Sequence, residues 1–276
     1  MTSAPMAMLL LFAGFAAAAA HRPRLLHSPV VRPVTAPRCS SAVLAARRPQ
    51  LKGALPTAAA LGVWGTVMAS PALASAPLLF RLHVVLLSPM VPLGTAAVVS
   101  ARRRLSRPTG APTTNRRARA TRLIQTHFVL SAGALYLACA GLLAIWLHKE
   151  RIGKPHLASL HGRAGAATLL LWLGSYAAAQ LQVWRDVWLE VRRGGRLAYA
   201  PRWLWGSKWH RQLGVAAYAT SLLATGLGIT SGWGRRALGD RLAAGCAAVV
   251  AAVGIRVLGP AAAERWRGAM RRIDYY

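Results

Sequence analysis

Four histidines each stand near the start of a long apolar run: His83, His127, His161 and His210. Burying an imidazole in hydrocarbon is costly, so such a residue is expected to have a function. Two imidazoles presented by facing helices of a bundle can occupy the two axial positions of a haem iron. The chemistry to expect is haem ligation and one-electron transfer. Depth decides the pairing. If the runs are consecutive membrane-spanning helices, the first and third begin on one face and the second and fourth on the other. His83 then shares a depth with His161, and His127 with His210, whereas a cross pair is separated by most of the bilayer. Zinc asks for four ligands, commonly with Cys or carboxylate, and neither pair has an evident third. Two axial imidazoles leave iron no open position, so oxygen chemistry at the metal is not expected. The competing reading is four unrelated hydrogen bonds between helices, which the alternating register disfavours.

One helical turn after the histidines come Leu87, Ser131, Gly165 and Gly214. Positions four apart share a face, and three of these residues are small, which leaves room for a flat ring. Gly133, Gly141, Gly174 and Gly226 are expected to let helices approach closely. His148 and His156 lie in the short segment "HKERIGKPH". There they read as surface residues, with His156 the candidate for a propionate, proton or electron-donor contact.

The elements that must position the histidines follow from composition. The chain is 55% hydrophobic with a positive mean hydropathy, despite 35 Lys and Arg and a net charge of +29. Five runs approach or exceed the about 20 apolar residues a bilayer crossing needs: 78–100, 123–147, 157–183, 209–233 and 242–259. The fold class expected is an all-α membrane protein, a bundle of five or six transmembrane helices with a four-helix dihaem core. The six acidic residues all fall outside the central spans, which disfavours a transporter with intramembrane acids. The basic residues cluster between the spans: eight Arg in 101–122, six Lys or Arg in 184–208 and four Arg after 260. The opposite connections, 148–156 and 234–241, hold three each. Eighteen against six is a positive-inside pattern, and headgroups rather than nucleic acid account for the charge. Cys39, Cys139 and Cys246 show no paired spacing and read as small hydrophobes.

The first 76 residues hold no acid. Residues 1–20 resemble a secretory signal, and 21–55 a basic, acid-free plastid transit segment. Segment 56–76, ending "ASPALASA", reads as a thylakoid transfer signal cleaved near Ala74 or Ala76, or else as an extra transmembrane helix. Three such signals in series point to a plastid membrane, with the basic connections in the stroma and "HKERIGKPH" in the lumen. His21 and His27 would then be discarded with the leader.

The runs carry motifs as well. "RLHVVLLSPMVPLGTAAVVSARR" sets a histidine before Pro92, Gly94 and the pair Arg102–Arg103; "THFVLSAG", "SLHGRAGAATLLLWLGSYAAAQ" and "KWHRQLGVAAY" follow in order. Over residues 77–260, ahead of a basic tail at 261–276, the chain resembles the transmembrane domain of the cytochrome b561 family, most closely its divergent plastid and cyanobacterial members. The resemblance implies two haems b, with His83, His127, His161 and His210 as axial ligands to iron, and electron transfer across the bilayer. It also makes ascorbate a candidate donor and leaves a homodimer open. Gly162 and Arg163 stand where the family often has Ser-Trp, and the family commonly has a further helix before this core. A haem-free scaffold or assembly protein of the thylakoid is the alternative from another class.

Overall fold

Length and apolarity decide the architecture. The computed structural model describes residues 41–105, 113–192 and 208–273, and every regular element among them is a helix. These are α1 (Ser41–Met68), α2 (Pro71–Ala74), α3 (Leu78–Leu87), α4 (Met90–Leu105), α5 (Thr113–Arg151), α6 (Leu160–Arg192), α7 (Lys208–Ile229), α8 (Gly232–Leu238) and α9 (Asp240–Ile273). The chain divides into units 1–55 and 56–276. Of the first, helical backbone from Ser41 onward is described. The signal-like run 1–20, most of the transit-like segment 21–55 and Cys39 lie outside the described residues.

Among the described residues, five stretches are long and apolar enough to cross a bilayer: Leu78–Arg102, Arg122–Arg151, Leu160–Arg185, Trp209–Ile229 and Asp240–Gly259. The protein is thus an integral, multi-pass membrane protein, and these stretches fall on the five expected runs. Their outward faces are apolar, as lipid requires: Leu170, Leu181 and Ile255 are each about 70% exposed or more. Among the described residues the core consists of two clusters. One joins Val91, Tyr218 and Leu222 to Cys246, Val250 and Val253; the other is Met90, Ala134 and Ala138. Cys246 is buried among apolar side chains, the role expected of it.

The four histidine-bearing spans form two antiparallel pairs. α3 and α4 both pack on α5, α6 packs on α7, and α9 lies against α7 outside this set. The first span is broken at Ser88–Pro89, because Pro89 has no amide to give the carbonyl one turn back. That carbonyl belongs to Val85, and the Ser88 hydroxyl donates to it instead (3.4 Å). The third span starts later than expected, at Leu160 rather than 157. Leu157 adopts φ 57°, a left-handed conformation uncommon for a residue with a Cβ, so the chain turns there. The Ser159 hydroxyl then accepts the Gly162 amide (3.1 Å) as an N-cap.

Segment 56–76 packs against this bundle. Ala60 and Val63 are buried in the larger core cluster. Ser70 donates to the Ala237 carbonyl of α8 (2.9 Å), and Leu73 is buried. The apolar part of α1, Ala54–Met68, is shorter than a full crossing.

Candidate functional site

The structure brings the four histidines together as two pairs, His83 with His161 and His127 with His210. The ring centroids are 6.2 Å apart in the first pair and 6.1 Å in the second. A metal–imidazole bond is about 2.0 Å and a ring nitrogen lies roughly 1.2 Å from its centroid, so one metal held axially separates two rings by roughly 6.4 Å. Both pairs match that spacing. The ring planes cross at 77° and 83°.

Each ring is oriented by the same device. The Nδ1–H of His83 donates to the Gly141 carbonyl (3.0 Å), and that of His127 to the Ala97 carbonyl (3.0 Å). His161 donates to the Ala224 carbonyl (2.9 Å) and His210 to the Ser175 carbonyl (2.9 Å). A carbonyl only accepts, so the proton must sit on Nδ1, and Nε2 is the nitrogen that can bind a metal. Every acceptor belongs to a different helix from its histidine, so helix packing itself aims the rings. Among the described residues, no group of three or more His, Cys, Asp or Glu gathers as a metal site. Paired imidazoles without further ligands suit a metal whose remaining positions a macrocycle fills.

The two pairs lie at opposite ends of the bundle. On α6, His161 marks one level and Ser175, which receives His210, marks the other. The fourteen residue steps from one to the other span roughly 21 Å. His161 is only the second residue of α6 and His210 the third of α7, so neither is as deep in its own helix as His83 is in α3. The neighbouring helices bring the rings to a common level nonetheless.

A cavity of about 400 Å3 opens on the first pair. Its wall includes His83, His161, Gly162, Gly165, Ala166 and Gly228. Gly165 has open space where a Cβ would stand, so the room expected one turn past His161 is present. Gly214, one turn past His210, instead faces the Ser175 hydroxyl. A Cβ on Gly228 would come within 2.9 Å of the His161 ring, and one on Gly141 within 2.8 Å of Leu87. Gly141 therefore does let helices approach, and Gly174 has Leu213 at contact distance, while Gly133 and Gly226 have open space around them. Close approach does not explain those two.

His148 and His156 stand outside the pairs. His148 lies beside Phe80, with centroids 5.9 Å apart. His156 reaches the cavity wall, stacks on Trp146 at 3.7 Å and 12°, and meets Glu150 through Nε2 (2.9 Å). The sequence suggested that His156 could act at this surface; it gave no sign of the Trp146 stack, which depends on the turn at Leu157.

Residues 110–234 match the family described as "Eukaryotic cytochrome b561". The matched region is similar to that family and covers somewhat less than half of the chain. It contains His127, His161 and His210 but not His83, whose place is known from its 6.2 Å pairing alone. Transmembrane reductase CYB561D2 of Bos taurus is 35% identical over 112 residues, 39% of this chain and 44% of that protein. The Homo sapiens and Mus musculus proteins of the same name are each 33% identical over equal lengths. The chain thus spans less than half the length of these relatives.

Proposed function

We propose that this protein carries single electrons across a plastid membrane, the thylakoid, using two haems b. His83 and His161 would hold one, and His127 and His210 the other. The observation that carries the reading is the matched separation of the two pairs, with all four Nδ1 atoms committed to carbonyls. Each haem would supply a reversible ferric–ferrous couple. The protein's own part is to aim two Nε2 atoms toward one another at each end and to fix the orientation of each ring through its Nδ1–H donor. It also shields both sites with the apolar bundle, and burial and ligand hydrogen bonding tune the potential of such a centre.

The donor and acceptor would be small molecules or proteins reaching the two faces, and ascorbate is the first donor to test. The reductase names of the relatives agree with this reading. The eighteen-to-six charge asymmetry supports placing connections 101–122 and 184–208 in the stroma. Residues 1–55 would serve as targeting sequence. The packing of Ala60, Val63, Ser70 and Leu73 supports retention of 56–76 rather than cleavage near Ala74 or Ala76.

The test is an absorbance spectrum of the purified full chain before and after ascorbate. A b-type band corresponding to two haems per chain, sharpened on reduction, is expected. Protein that folds in lipid and carries no haem would leave the scaffold reading standing.

A further inference from the structure

Between the two histidine pairs, three helices converge on one aromatic side chain. Trp172 sits on α6, one turn from Ser175, whose carbonyl orients His210. Side chains on a helix lean toward its N-terminus, which for α6 is the His161 end. The indole follows that direction and donates Nε1–H to the Ser221 hydroxyl on α7 (3.0 Å). Ser221 lies one turn from Ala224, whose carbonyl orients His161. Its own hydroxyl proton is given to the Ala217 carbonyl (2.7 Å), so a lone pair is left facing Trp172. One indole and one hydrogen bond therefore link a position adjoining the first site to a position adjoining the second.

The rest of the centre holds that indole in place. Gly94 on α4 admits it: a Cβ there would stand 3.6 Å from the Trp172 ring and 3.4 Å from that of Tyr218. Tyr218 is 1% exposed and shares a 2.7 Å hydrogen bond with Thr95.

We propose that Trp172, hydrogen-bonded to Ser221, is the bridge through which electrons tunnel between the two histidine pairs. This rests on the electron-transfer function proposed above. One electron would leave the group held by one pair and reach the group held by the other. No bond forms or breaks, no proton moves, and Trp172 keeps its charge and its N–H throughout. Its π system and hydrogen bond replace gaps that would otherwise be crossed through space.

The test uses the full chain in sealed lipid vesicles. Haem content, absorbance bands and midpoint potentials are measured first; then one side is reduced by a light flash and exchange between the sites is followed by absorbance. Trp172→Leu is expected to keep the first three and to slow exchange at least about tenfold, about 1.4 kcal/mol of barrier. Trp172→Phe, which keeps a ring and loses the N–H, and Ser221→Ala should slow it by less. If Trp172→Leu loses haem, these two variants decide: slowed exchange at full haem content supports the bridge, and unchanged exchange overturns it. Deuterium exchange adds a readout independent of turnover. The Trp172 indole N–H should exchange slowly and Ser221→Ala should speed it; fast exchange in the parent overturns the hydrogen-bonded bridge. A parent chain without haem would instead sink the electron-transfer reading itself.

Discussion

At one end of the bundle His83 and His161 face a cavity of about 400 Å3, ringed by Phe80, Trp146 and Trp233 and closed on one side by α1. At the other end His127 and His210 lie where the long basic connections leave the bundle, and His210 is gripped by both oxygens of Ser175. The centroid separations nevertheless agree within 0.1 Å, at 6.2 and 6.1 Å. Pair geometry is thus set by helix packing and carbonyl acceptors, while the surroundings are free to differ. What distinguishes the two ends should be access and electrochemistry rather than ligation.

The strongest way to break this comparison is to remove one of the four histidines. His83→Ala and His161→Ala should each lose about half of the haem, or convert it to a high-spin form, and give the same residual spectrum. His127→Ala and His210→Ala should give the complementary half. A single histidine whose loss empties both sites would show that the ends are not independent.

A smaller effect should fall on one end alone. Gly228→Val forces bulk into the His161 ring, which already stands 2.9 Å from a bare Cβ position. Strain of this kind typically costs about 1–3 kcal/mol. Haem retention at the first pair should fall while the second pair keeps its full band, read by haem titration of detergent-purified protein. Equal loss at both sites would mean that the substitution acts on the whole bundle.

The smallest effect sharpens the comparison of access. His156→Ala should leave both haems in place and slow reduction only from the side bearing the 148–156 turn. Half-loss of haem in this variant, with full retention in His161→Ala, would make His156 the ligand.

The spans and the four histidines were legible in the sequence because bilayer thickness fixes the length of an apolar run, and a histidine inside such a run stands out. The break at Ser88–Pro89 follows from a visible proline, yet the Ser88 hydroxyl that repairs it depends on geometry. The start of α6 was misplaced by three residues because Leu157 is apolar and extends the run; only its left-handed backbone shows that the helix has not begun. The Gly133 and Gly226 expectation failed because small residues in a membrane helix do not say which neighbour they face. The Trp146–His156 stack and the Trp172–Ser221 bond join residues from different parts of the chain, and side-chain type alone did not pair them.

The acceptors of the four Nδ1–H donors are a glycine, two alanines and a serine. What they contribute is a peptide oxygen, which every amino acid possesses. Ala97 and Ala224 can therefore be exchanged for another small residue without turning a ring, whereas Leu87 would stand 2.8 Å from any Cβ on Gly141 and Ser175 also offers His210 its hydroxyl. At the two alanines the orienting contact leaves no mark in residue type, and the histidines are its visible trace in the sequence.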